Sequence, residues 1–118
     1  WIAGGIAAGE PQVLHLPKSS LSAVAAHLKL ARAAIGVDTG LTHLAAAFGL
    51  PTVALFSSTV PGLTGPMGRA TRIVASLAPC APCRDQVCRL TPGVERLACH
   101  ETMGVDRVLA ALLEMSPP

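Results

Sequence analysis

The stretch Ala34-Ile35-Gly36-Val37-Asp38-Thr39-Gly40-Leu41-Thr42-His43-Leu44-Ala45-Ala46-Ala47-Phe48-Gly49 decides the fold. Its first four residues are an apolar run too short for a helix, and so read as an interior strand. Asp38-Thr39-Gly40 turns the chain, and a helix is expected from about Leu41 to Phe48. Gly49 stands where a left-handed residue ends a helix, with Pro51 just beyond.

The same alternation extends on both sides. Upstream, Val13 to Leu16 is an aliphatic run closed by Pro17 and reads as a buried strand. Ser20 is the expected N-cap of a helix whose apolar face carries Leu21, Val24, Ala25 and Leu28. Lys29 and Arg32 fall near its C-terminal end, where cations complement the dipole. Downstream, Thr52 to Phe56 is a β-branched and apolar strand, Ser57 to Gly68 reads as a loop, and Thr71 to Val74 as another strand. Val105, Val108, Leu109 and Leu112 mark a closing helix before Pro117-Pro118. Strands alternating with helices over short connections predict an α/β fold, a Rossmann-like parallel sheet with flanking helices and right-handed crossovers. The expected unit is half of a doubly wound domain. The chain opens on Trp1 without an obvious first element, and it reads as a piece of a longer polypeptide.

Composition narrows the function. A net charge of +2 with scattered basic residues, and only Trp1, Phe48 and Phe56 as aromatics, gives neither the basic stripe nor the stacking platform of a nucleic-acid binder. No apolar run approaches the ~20 residues of a membrane span. Trp1 to Gly9 is apolar but lacks the basic start and cleavage pattern of a signal peptide. A cytoplasmic location is expected.

In open parallel sheets ligands sit beyond the carboxyl ends of the strands, which is where Asp38 to Gly40 falls. The first turn of a helix leaves backbone N–H groups without partners and carries the positive end of the dipole, and both favour a phosphate. Gly40 lacks the Cβ that would hold an anion away, Thr39 adds a hydroxyl, and His43 lies one turn on along the same face. Asp38 does not suit a pure phosphate cradle. It either caps the helix or accepts hydrogen bonds from sugar hydroxyls, which would give the site a sugar-plus-diphosphate character. Spacing alone fits ordinary capping as well as it fits an anion site.

The run from Gly36 to Ala47 resembles the donor-binding signature of the bacterial heptosyltransferases, glycosyltransferase family 9. Leu16-Pro17-Lys18 with Ser20-Leu21 resembles the turn before the adjacent helix of that family. Thr59-Val60-Pro61-Gly62-Leu63-Thr64-Gly65 resembles its loop after the next strand, where an acidic residue is commoner than Val60. The likeness covers Leu16 to Gly68 well and the rest loosely. It implies the GT-B architecture, with residues 1–118 forming most of the C-terminal, nucleotide-sugar-binding domain and the N-terminal acceptor domain absent.

The implied activity is inverting transfer of heptose from ADP-heptose to the lipopolysaccharide inner core, an acceptor of Kdo-lipid A type, without a metal or cofactor. The wording of the second loop leans toward the enzyme that adds heptose to Kdo. By the same resemblance Thr39, Gly40 and Leu41 hold the diphosphate, the last two through backbone N–H groups. Asp38 contacts the heptose or orders the turn, His43 assists at the phosphate side, and Lys18-Ser19 lies against the adenosine. No catalytic residue is expected in this chain, because the base belongs to the missing half, and the isolated fragment is expected to be inactive. Contact with the cytoplasmic face of the inner membrane would be peripheral and through that missing part.

The four cysteines, Cys80, Cys83, Cys88 and Cys99, crowd the last third of the sequence. Cys80-Ala81-Pro82-Cys83 is a CxxC without a second one. Pro79, Pro82 and Pro92 mark the region as a loop that wants a staple, and His100 adds a further ligand type. Zinc, a disulfide, or reduced and packed thiols all fit the pattern. Two other readings of the whole follow. One is a GT-B transferase using a different nucleotide-sugar. The other is a non-catalytic α/β module whose cysteine loop binds zinc and a protein partner.

Overall fold

The computed structural model describes residues 9–90 and 97–115. The expectations for Trp1 to Ala8, Pro92 and Pro117-Pro118 lie outside the described residues. Three strands, β1 (Ala34–Val37), β2 (Thr52–Phe56) and β3 (Thr71–Ala75), form a parallel sheet in the order β1-β2-β3. Helix α1 (Leu21–Leu30) precedes β1, α2 (Gly40–Ala47) links β1 to β2, and the short α3 (Pro61–Thr64) lies between β2 and β3. The single turn α4 (Ala98–Glu101) and the longer α5 (Val105–Met115) complete the described chain. The fold is Rossmann-like α/β, a parallel sheet with flanking helices, as expected.

Strand β2 is central, and its side chains alternate between two covered faces. Val53 points to the α5 side, where it packs with Val74, Val108, Leu112 and Met115. Thr52, Ala54 and Phe56, all buried, point to the opposite face with α2. Register carries this alternation across the sheet, since Gly36 pairs with Ala54 and Val37 with Leu55. Ser20 caps α1 by accepting the Ala23 N–H at 3.2 Å, as its position predicted. Gly49 follows α2 at φ +77°, the left-handed conformation expected of it.

Four expectations need correction. Val13 to Leu16 is not a strand: it pairs with no strand among the described residues, and Leu14 is 79% exposed. A parallel strand draws its stability from a ladder, and this run has none. Among the described residues β1 is an edge strand rather than an interior one, because only β2 pairs with it, and α5 packs on β2 and β3. Ile35 and Val37 are consequently 52% and 56% exposed. The loop from Ser57 to Gly68 contains helix α3, started by Pro61 at a position where a missing N–H costs nothing. Leu21 is exposed, so the buried side of α1 is narrower than its periodicity suggested.

One close approach fixes α2 on the sheet. A Cβ on Gly36 would land on the Thr42 hydroxyl. That hydroxyl is tucked against the strand and donates to the Val37 carbonyl at 2.6 Å, on a side chain only 4% exposed. Gly36→Ala should therefore destabilise the fold by about 1–3 kcal/mol, the usual cost of overpacking. The double variant Gly36→Ala/Thr42→Ala, which removes the obstructing oxygen, should be more stable than the sum of the singles predicts. Urea unfolding of the four proteins measures this, and strict additivity would refute the steric account.

Candidate functional site

The carboxyl ends of β1 and β2 are neighbours in the sheet, so the segments that leave them meet. Asp38 and Thr39 follow β1, and Ser57 to Thr64 follow β2. Thr39 is the N-cap of α2, extended at φ −143° and ψ 162°, with no side-chain capping bond. Its carbonyl accepts the Thr42 and His43 amides at 3.1 and 3.2 Å. The amides of Gly40 and Leu41 precede the first intrahelical donor, the Thr42 amide, so they have no acceptor within the helix and lie at its open start. A Cβ on Gly40 would meet nothing within 4 Å. The mouth of the helix is therefore open at the position expected to approach an anion.

Asp38 does not cap the helix, which corrects one of the two roles expected of it. Its Oδ2 accepts a hydrogen bond from Thr64 Oγ1 at 2.7 Å, a contact across 26 residues of sequence. Its Oδ1 lies 3.6 Å from His43 Nε2, an ion pair when the imidazole carries its proton. The Thr64 hydroxyl is the main reason the Asp38 carboxyl is held below its ordinary value. Thr59 and His43 act in the same direction, and partial burial opposes them. The Thr39 hydroxyl faces the Thr42 hydroxyl at 3.4 Å.

Asp38, Thr39, Gly40, Leu41 and His43 thus share one end of the sheet. Lys18 and Ser19 stand apart in their bonding: among the described residues no hydrogen bond or ion pair ties them to the turn, and the Ser19 hydroxyl donates to the Pro17 carbonyl at 2.7 Å. Thr59 and Thr64 were not assigned a role from sequence. The available signal was a run of hydroxyl residues in the segment leaving the strand next to β1.

The cysteines gather at a second place. Cys80, Cys83, Cys88 and Cys99 line one cavity of about 380 Å³, together with Ser57, Ser58 and His100. The loop that carries them is tied to the end of β2, since the Arg84 amide donates to the Ser58 carbonyl at 2.7 Å. Cys80, Cys83 and Cys99 are free thiols. Among the described residues no three His, Cys, Asp or Glu side chains are arranged to hold a metal ion. Burial pushes the Cys99 thiol up, with Cys80 and Cys88 adding to the shift. Among the described residues no helix is long and apolar enough to cross a membrane.

The family model of glycosyltransferase family 9 (heptosyltransferase) matches residues 2–93. The chain is 47% identical over 93 residues to lipopolysaccharide heptosyltransferase 1 of Pseudomonas aeruginosa, which covers 79% of this chain and 26% of that protein. It is 44% identical over 64 residues to lipopolysaccharide heptosyltransferase 1 of Escherichia coli K12, covering 54% of this chain and 20% of that one. A solved structure of the E. coli heptosyltransferase WaaC with ADP matches with a TM-score of 0.58 at 41% identity. That match covers 60% of this chain and 22% of the WaaC chain. This chain therefore belongs to glycosyltransferase family 9. It spans between a fifth and about a quarter of the length of these relatives.

Thiol labelling separates a packed cysteine loop from a metal-bound one. Near neutral pH, iodoacetamide should modify exposed Cys83 first and Cys99 most slowly, as read by peptide mass spectrometry. Equal protection of all four thiols, lifted together by a chelator, would instead favour the zinc module.

Proposed function

We propose that this chain supplies the donor-binding half of a heptosyltransferase that moves heptose from ADP-heptose to the lipopolysaccharide inner core with inversion. In this reading residues 1–118 are most of the C-terminal domain of a GT-B enzyme. The observation that carries it is the open helix start at Gly40, set at the carboxyl end of β1 in a family 9 chain. The likeness to a heptosyltransferase solved with ADP supports the choice of nucleotide.

Negative charge grows on the diphosphate as its bond to the anomeric carbon breaks. Donors already aimed at that charge lower the barrier without reorganising, each by on the order of 3 kcal/mol. The Gly40 and Leu41 amides are such donors, and the Thr39 hydroxyl and His43 imidazole border the same mouth. Asp38, with Oδ2 held by Thr64 and Oδ1 beside His43, would accept from sugar hydroxyls through its remaining lone pairs. Lys18 and Ser19 would meet the adenosine. The group that deprotonates the acceptor hydroxyl belongs to the other half of the enzyme, as does the peripheral contact with the inner membrane. The location is cytoplasmic in this reading.

Calorimetric titration of ADP tests the site in the polypeptide that carries these residues. Gly40→Val adds bulk only toward open space, so thermal stability should stay near that of the parent while ADP affinity falls at least tenfold. His43→Ala should cost about ten-fold, in line with loss of one hydrogen bond to a charged group. Unchanged affinity in both variants would overturn the assignment.

A further inference from the structure

We infer that Thr64 is a positioning residue that keeps the Asp38 carboxylate off the start of helix α2, leaving that start open to the donor diphosphate. The inference rests on the donor-binding reading above and adds a residue to it.

Asp38 sits just before the N-cap Thr39, and a short carboxylate at a helix start is a strong acceptor for first-turn amides. Left to itself it would compete with any incoming anion for the Gly40 and Leu41 N–H groups. The negative charge would also repel a diphosphate at close range. In the structure it keeps its charge but does not take those amides, because Thr64 Oγ1 donates to Oδ2 at 2.7 Å while Oδ1 lies beside His43 at 3.6 Å. Neither oxygen accepts a hydrogen bond from the Gly40 or Leu41 amide.

Thr64 is well mounted for this. It is the last residue of α3, whose turn is closed by the Gly65 amide donating to the Pro61 carbonyl at 2.7 Å. Its hydroxyl also lies 3.4 Å from the Val60 carbonyl, which accepts the Thr64 amide at 3.2 Å. The shorter of the two contacts takes the hydroxyl's single proton, so the bond to Asp38 is the one that is made. The lowered Asp38 carboxyl, for which Thr64 is the largest cause, is the electrostatic trace of the same bond.

A double-mutant cycle on ADP affinity tests this in the polypeptide that carries these residues. Thr64→Val removes the hydroxyl at nearly constant shape, and ADP should bind about ten-fold more weakly to a protein that stays folded with a slightly lower thermal stability. Thr64→Ser should restore parental affinity. In an Asp38→Ala background, Thr64→Val should have no further effect, because the competing carboxylate is gone. Carbon-detected titration of the carboxyl in the Thr64→Val protein should show Asp38 moving back up toward its ordinary value.

An equal loss of affinity with and without Asp38 would overturn the inference, since Thr64 would then act on the ligand directly. Parental affinity in Thr64→Val would overturn it as well while leaving donor binding intact. Failure of the parent protein to bind ADP would instead remove the reading on which it rests.

Discussion

The contact between Thr42 and the end of β1 is the constraint on which the site depends. The Thr42 hydroxyl donates to the carbonyl of Val37, the last residue of the strand, and occupies the space that a side chain at Gly36 would fill. This single bond ties the first turn of α2 to the strand that precedes it. Because Thr42 is on the helix and Val37 on the strand, the intervening Asp38-Thr39 turn has little freedom in where it can put its backbone. The outward direction of the Gly40 and Leu41 amides follows from that. The conformation is held by a buried polar bond rather than by loop packing, and such a bond is costly to leave unmade.

A second tie comes from the neighbouring strand. β1 and β2 are parallel and in register, so their exits lie side by side, and the segment after β2 can reach the segment after β1. Thr64 does so over 26 residues of sequence. The sheet thus contributes more than a platform. Its parallel topology makes an acidic residue on one exit the partner of a hydroxyl on the next. An antiparallel pair would have sent those exits to opposite ends.

Much of this was legible in the sequence, and the reasons for the remainder are physical. The strand-turn-helix unit from Ala34 to Gly49 could be read because each signal is local: apolar run, turn residues, small helix formers and a glycine stop. The cap at Ser20 and the strands at Thr52 and Thr71 are of the same kind. The edge position of β1 was not legible, because apolar content reports what a strand can bury and not what arrives to cover it. Val13 to Leu16 failed for a related reason, since a strand exists only with a partner. In the site, the open helix start at Gly40 follows from local pattern, whereas the Thr64–Asp38 bond joins residues whose closeness is a property of the sheet. Family resemblance supplied the setting for the turn and did not point to that hydroxyl.

The electrostatics of the turn then fix the charge of its carboxylate. The folded Asp38 carboxyl lies below its ordinary value of 3.8, chiefly through Thr64. A depressed folded value means that the ionised carboxylate stabilises the fold fully above 3.8, and that this contribution is lost as pH falls through the folded value. Asp38 is accordingly ionised throughout the neutral range, and its bond to Thr64 does not change there. A carboxylate that changed charge near neutrality would alternately repel and admit an anion at the adjoining helix start. Held ionised, the Asp38 carboxylate presents a constant negative charge beside the Gly40 and Leu41 amides across the neutral range, and His43 is the titratable group that faces it.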